Sequence, residues 1–244
     1  GDDAEVSQWC FHGRCYRFGD RDDGLPGVFR SRDKLMLRDE TGAETQTSVW
    51  SDLPIPGAHN LKNAMAAAAA GLALGVPLAA IERGLHDVTP LPHRLQFVGE
   101  WRGRRFYNDS LATTPESALA ALDAFAEPVV LLAGGSDKGV DLSNLAGGIA
   151  TGTKAVALMG ETGESLGRLV ELKRETDCPV VRECDSFEQA FGWAAEQSAP
   201  GDVVLLSPGC ASFDWFRNFA ERGERFVAFV REIQNHATMP TRLP

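Results

Sequence analysis

The sequence is poor in the features that mark secreted, membrane or nucleic-acid-binding proteins. Its five cysteines (Cys10, Cys15, Cys178, Cys184, Cys210) form no C-x-x-C pair and leave an odd one. Free thiols in a reducing cytoplasm are therefore expected, rather than a disulfide framework or a zinc site. Cys10, His12 and Cys15 lack a fourth ligand at a plausible spacing and read as half-buried strand residues. No apolar run approaches the ~20 residues that span a bilayer. The acidic N-terminus lacks the apolar core of a secretory signal. Basic residues are the minority, 24 Lys and Arg against 34 Asp and Glu, for a formal charge of −10. That balance argues against a general nucleic-acid or membrane-surface role. No Gly-Lys-Ser/Thr occurs, so there is no Walker A loop, and no G-x-G-x-x-G opens a helix. The chain does not begin with Met, and a processed or truncated piece is expected.

What is present is the composition of a soluble globular protein, 43% apolar and 24% charged, over 244 residues. Residues 1–56 read as short strands and turns. KLMLRD alternates, and Asp-Glu-Thr-Gly is a turn, so β-hairpins with one wet face are expected. Gly57-Ala58-His59-Asn60 precedes an alanine-rich helix over 61–74, and Pro77 starts a second helix to Leu85. Asn60 and Asn63 read as one helix cap and one first-turn residue. Pro90-Leu91-Pro92 is a stiff linker before His93-Arg94, which gives expected domains at 1–90 and 91–236 and a tail at 237–244.

From residue 95 strands and helices alternate. Strands are predicted at 95–99, 104–108, 128–133, 155–159, 179–183 and 203–207. Helices are predicted at about 115–126, 142–150, 161–174, 186–197 and 214–234. VVLLAGG, AVALMG and VVLLSPG are continuous apolar runs, as in strands buried on both faces of a parallel sheet. The fold class is therefore α/β, with a Rossmann-like doubly wound C-terminal domain. Ligands of such sheets sit beyond the carboxyl ends of the strands. Asp109, Gly134-Gly135, Gly160 and Ser207 fall there.

One stretch carries the clearest chemistry. RRFYNDSLATTPESALAALDAF, residues 104–125, runs from a strand through Asn108-Asp109-Ser110 into a helix that Thr114 caps and Pro115 begins. Taken alone, it is equally a buried turn satisfying its own backbone. GGSDKG (134–139), taken alone, reads first as a surface loop, and Arg94 is equally an interdomain ion pair. Phe216, Phe219 and Phe226 read as helix core. Cys210 has no partner histidine and reads as a small buried hydrophobe.

Five stretches occur in one order: GAHNLKNAMAAAAAGLALG, LPHRLQFV, NDSLATT, LLAGGSDKGVD and LLSPGCASFDWFRNFAERGERF. In that order they resemble the Mur ligases, and among them those that add glutamate to UDP-N-acetylmuramoyl-L-alanine. The resemblance covers nearly the whole chain. It implies that residues 1–90 end the central ATP-binding domain of such an enzyme. It places Asn60 and Asn63 on the adenine side of ATP, Arg94 on its phosphates and Asp109 on its ribose. It places Lys138, Thr113, Ser212, Phe213 and Phe219 around the incoming glutamate. The UDP-binding domain, the GKT loop and the magnesium-binding acids of the family are not in this chain, so ATP and Mg would be held mainly by N-terminal domains of the same protein. No catalytic residue and no metal ligand is assigned here, and no nucleic acid or membrane is an expected partner. The other readings are a related ligase, such as a folylpolyglutamate synthase, or a non-catalytic nucleotide- or amino-acid-binding module. The family's NDSKATN is NDSLATT here, and Phe213 stands where leucine is common. D-glutamate is the default acceptor, and these differences are also compatible with a branch that takes L-glutamate.

Overall fold

A computed structural model describes residues 8, 12–31, 34–47, 53, 57–175 and 179–238. Cys10, Cys178 and the end of the expected tail lie outside the described residues. The chain divides into two compact units, Gly1–Thr89 and Pro90–Pro244.

The first unit holds a four-stranded sheet in the order β1 (Arg17–Gly19), β2 (Gly27–Ser31), β3 (Lys34–Arg38), β4 (Glu44–Thr47). β2, β3 and β4 form an antiparallel meander, and β1 pairs parallel with β2. The Asp39 carboxylate closes the β3–β4 turn by accepting from the N–H of Thr41 and of Ala43. The alternation in β3 sends Leu35 and Leu37 inward, where they join Val28. Met65, Ala68 and Ala69 of α1 (Ala58–Ala73) and Ile81 of α2 (Leu78–His86) complete this core. α1 begins earlier than its sequence pattern suggests. Gly57, at φ 102°, is the cap, so Asn60 is a buried first-turn residue rather than the cap itself.

The second unit is a six-stranded sheet in the order β5-β6-β10-β7-β8-β9. Its strands are β5 (Gln96–Trp101), β6 (Arg104–Asn108), β7 (Val129–Gly134), β8 (Ala155–Met159), β9 (Val180–Glu183) and β10 (Val203–Leu206). β5 is an antiparallel edge, and the remaining pairs are parallel. Successive residues of the apolar runs point to opposite faces, as the period of two requires. Leu131, Ala133, Val156, Leu158 and Leu205 meet α3 (Pro115–Leu122), α4 (Ser143–Gly152) and α5 (Gly163–Lys173). Val130, Leu132, Ala157, Val204 and Leu206 meet α6 (Phe187–Gln197) and α7 (Phe219–Thr238). This is the expected doubly wound α/β arrangement.

β10 lies between β6 and β7, yet its following helix packs on the face opposite theirs. Neighbouring strands whose connections leave toward opposite faces open a crevice at their carboxyl ends. α7 starts at Phe219, five residues later than its sequence pattern suggests. Asp214 is engaged across the crevice instead, and Asn218 caps the helix by accepting from the Glu221 N–H. Among the described residues no helix is long and apolar enough to cross a membrane.

Candidate functional site

The site is built from the loops that leave β6, β7 and β10. β6 ends in Asn108, whose buried side chain has every role filled. Its Nδ2 donates to the Gly223 carbonyl at 3.1 Å and to His93 Nδ1 at 2.9 Å, and its Oδ1 accepts from the Ser110 N–H. Asp109 is 5% exposed. Its carboxylate accepts from the Leu95 N–H at 3.0 Å and from Ser207 Oγ at 2.8 Å. Burial raises its pKa to about 6, against the lowering effect of those two donors and of the Arg94 charge. Arg94 itself is exposed. Next along, Thr114 caps α3 by accepting from the Ser117 N–H, Pro115 occupies the first helical position and Glu116 lies in the first turn. That start is the one its sequence signals.

The β7 loop depends on glycine. A Cβ on Gly134 would lie 2.2 Å from the Met159 carbonyl, and one on Gly135 would lie 2.0 Å from the Ala211 carbonyl. Both residues have positive φ, so no L side chain fits in space or in conformation. The close approach lets the Ser136 N–H reach the Ala211 carbonyl at 2.9 Å. Thr162 Oγ1 bridges the Gly135 carbonyl and Cys210 Sγ. Ser136 Oγ accepts from the Asp214 N–H at 2.7 Å, and the Asp214 carboxylate accepts from the Glu161 N–H at 3.2 Å. Three loops are thereby locked together. Cys210 is buried among them, and its thiol is pushed up by desolvation, so it is no nucleophile.

A narrow cleft of about 10 Å³ opens over this knot, bordered by Thr113, Asp137, Lys138, Thr162 and Gly209–Ala211. Lys138 is exposed and has no acidic partner among the described residues. The structure thus brings Thr113 and Lys138 to one cleft, and Ser212, the residue after Ala211, is buried and does not border it. Phe213 and Phe219 do not border that cleft. Phe213 is 68% exposed, and Phe219 meets the His93 ring edge-on with centroids 6.3 Å apart. Phe226 is core, and Phe216 packs edge-on against Phe187. His93 has a left-handed φ of 64° and lies so close to α7 that a Cβ on Gly223 would come within 2.2 Å of its Nδ1. In the first unit, Asn60 is buried, and exposed Asn63 reaches its Oδ1 at 3.4 Å.

One residue of the knot escaped the sequence reading. Arg222 on α7 is 1% exposed and donates four hydrogen bonds: Nε to Ser110 Oγ, Nη2 to the carbonyls of Ser110 and Cys210, and Nη1 to the carbonyl of Ala211. Desolvation lowers its pKa to about 10, which still leaves it a cation near neutrality. Its signal was an arginine four residues before buried Phe226, inside the apolar stripe of α7. Among the described residues no cluster of His, Cys, Asp or Glu could hold a metal.

Residues 93–210 match the family model described as "Mur ligase, glutamate ligase domain". The chain is 39% identical over 210 residues to the UDP-N-acetylmuramoylalanine–D-glutamate ligase of Symbiobacterium thermophilum, covering 86% of this chain and 46% of that protein. It is 43% identical to the ligase of the same name from Roseiflexus, covering 84% and 44%. The chain thus spans less than half the length of the curated relatives it matches. Among solved structures it resembles MurF of Acinetobacter baumannii, with 20% identity, a TM-score of 0.59 and coverage of 88% and 46%. It also resembles a Mycobacterium tuberculosis folylpolyglutamate synthase complexed with ADP and AMPPCP, with 18% identity, a TM-score of 0.57 and coverage of 79% and 45%. At those identities the two structures speak to fold alone.

Proposed function

We propose that this chain, which carries the Mur ligase glutamate-ligase domain, is the acceptor-binding half of an ATP-dependent ligase that joins glutamate to UDP-N-acetylmuramoyl-L-alanine in the cytoplasm. The observation that carries this reading is the cleft at the carboxyl ends of β6, β7 and β10. There an exposed lysine without an ion-pair partner among the described residues, a threonine hydroxyl and a glycine-bounded backbone turn border one space, with Asp137 beside them. Such a set suits a small dicarboxylate: Lys138 meets one carboxylate as a compact charge, and short polar groups orient the other.

In the reaction, the alanyl carboxylate oxygen bonds to the γ-phosphorus of ATP and ADP leaves, giving an acyl phosphate. The glutamate amine then bonds to that carbonyl carbon, the amine gives up its proton, and the carbon–oxygen bond to phosphate breaks. The share of this chain is positioning, which makes the second step effectively unimolecular. Asn60 and Asn63 face the adenine side of ATP, Arg94 its phosphates and Asp109 its ribose. Asp109 keeps lone pairs beyond those given to Leu95 and Ser207. Around the glutamate, the family resemblance adds Ser212, Phe213 and Phe219 to the pair formed by Thr113 and Lys138, and the two phenylalanines lie outside the cleft in this structure. Magnesium, which would supply phosphoryl-charge stabilisation in this chemistry, would be held mainly by the N-terminal domains that the family resemblance implies.

D-glutamate is the acceptor we assign. Leu111, half-buried in the β6 loop, replaces the family's cation there, so Lys138 is the charge that anchors the acceptor. The test is amide formation by the full-length protein, with ATP, UDP-N-acetylmuramoyl-L-alanine and either glutamate enantiomer. Product with D-glutamate at the higher kcat/KM supports the assignment. A preference for L-glutamate reverses the stereochemistry, and no product with either overturns the reading. The 244-residue chain alone, without a phosphate loop in its sequence, is expected to hydrolyse no ATP above buffer.

A further inference from the structure

Arg222 is the largest side chain withdrawn from solvent, and no carboxylate oxygen lies within 4.0 Å of it among the described residues. Its acceptors are three carbonyls and a hydroxyl, and the Asp214 carboxylate acts on it only through space. Burying a guanidinium without a counter-ion is costly, and a leucine could anchor α7 against the sheet without that cost. What a leucine could not do is hold carbonyls from two loops in a fixed fork. The peptide unit is planar and trans, so a carbonyl turned toward Arg222 turns the following N–H away from it. The Cys210 and Ala211 carbonyls both face Arg222, and the N–H groups of Ala211 and Ser212 therefore face the other way. Ala211 is bridged to Ser136. The Ser212 N–H has no acceptor among the described residues, and neither does its hydroxyl, although the residue is only 2% exposed.

We propose that Arg222 is a positioning residue for the acceptor, turning the 210–212 backbone so that the N–H and hydroxyl of Ser212 are presented together to a carboxylate of the ligand. This rests on the glutamate reading above. The buried charge adds a favourable field for an anion from behind the loop. Arg222 does not touch the ligand. Its partners account for every part of this role: the Ser110 hydroxyl and carbonyl fix the guanidinium plane, and Gly135 leaves it room. A Cβ on Gly135 would stand 3.2 Å from Nη1.

The test uses the full-length ligase and reads the KM values for glutamate and for ATP. Arg222→Lys keeps the charge and loses the fork. It is expected to raise the glutamate KM about tenfold or more, the size of a lost hydrogen bond to a charged group, with the ATP KM within about twofold. In a Ser212→Ala background, which loses the hydroxyl and keeps the N–H, the same substitution should raise it by a smaller factor than in wild type, since residues acting through one contact are not additive. A merely structural role would lower the yield of folded enzyme and leave the glutamate KM of the remainder unchanged. That result, or additivity with Ser212→Ala, overturns the proposal. If Arg222→Lys does not fold, Ser110→Ala removes the acceptor of Nε together with the hydroxyl's donation to the Phe219 carbonyl. A rise of about two- to fivefold in glutamate KM is then expected, and an unchanged KM overturns the proposal. Wild-type enzyme that forms no product with glutamate overturns the acceptor reading and this proposal with it. Wild-type activity with an unresponsive Arg222 overturns only this one.

Discussion

Arg38 and Arg222 are two arginines treated in opposite ways by the two units. Arg38, on β3, lies over the Phe29 ring and forks onto the half-exposed Asp22 carboxylate at 2.6 and 2.8 Å, with Glu44 beside it. The carboxylates hold its proton more tightly than usual, and Arg38 in turn holds Asp22 down at about 2. Arg222 has only neutral acceptors, and burial loosens its proton. In the first unit a mostly covered charge is neutralised by two carboxylates that reach solvent. In the second a charge is kept, buried and directed, and the loops it holds form the candidate site. Buried polar groups that no surface role explains mark where the molecule gives up stability for function.

The comparison breaks most visibly at glycine. Gly135→Ala should cost ~3 kcal/mol or more, because the new Cβ meets backbone rather than a side chain that can move. Gly84→Ala, on α2 with open space around it, should gain roughly 0.5–1 kcal/mol. Urea unfolding of both variants measures the contrast, and equal effects would deny that the knot is tighter than the first unit.

Asp109 sharpens the contrast through pH. Its folded pKa, about 6, lies above the ordinary 3.8. The folded state therefore binds the proton more readily between those values. The resulting stability is fully present below pH 3.8 and is lost as pH rises through 6. Asp109→Asn does not titrate, so its stability relative to wild type should rise between pH 4 and 7, by about 3 kcal/mol at most. Paired melting curves across that range measure it, and a flat difference contradicts the burial argument. The smallest effect belongs to Arg38, whose own side chain is mostly covered and whose two carboxylate partners are exposed: Arg38→Met should cost about 1 kcal/mol, shrinking in 1 M salt.

The layers of the second unit were legible because its strands are continuous apolar runs, a pattern that burial on both faces imposes. The α3 start was legible because Thr114-Pro115-Glu116 fits the chemistry of a helix terminus. The start of α7 was not, since apolar periodicity cannot show that Asp214 binds across to Ser136 and Glu161. Nor can it show that Gly57, rather than Asn60, begins α1. The family resemblance pointed to Thr113 and Lys138, which border one cleft, and to Phe213 and Phe219, which stand apart from it. Arg222 was hidden because a charged residue in a helix is ordinarily read as exposed. Only its four hydrogen bonds, to Ser110, Cys210 and Ala211, show what it does.

The central claim is that the cleft over the β6, β7 and β10 loops receives glutamate through Lys138. The direct measurement is the glutamate KM of full-length Lys138→Ala, with the ATP KM as internal control. Losing a carboxylate contact of about 1.5–3 kcal/mol predicts a rise of roughly ten- to a hundredfold for glutamate, with ATP little changed. A glutamate KM equal to that of wild type would contradict the account.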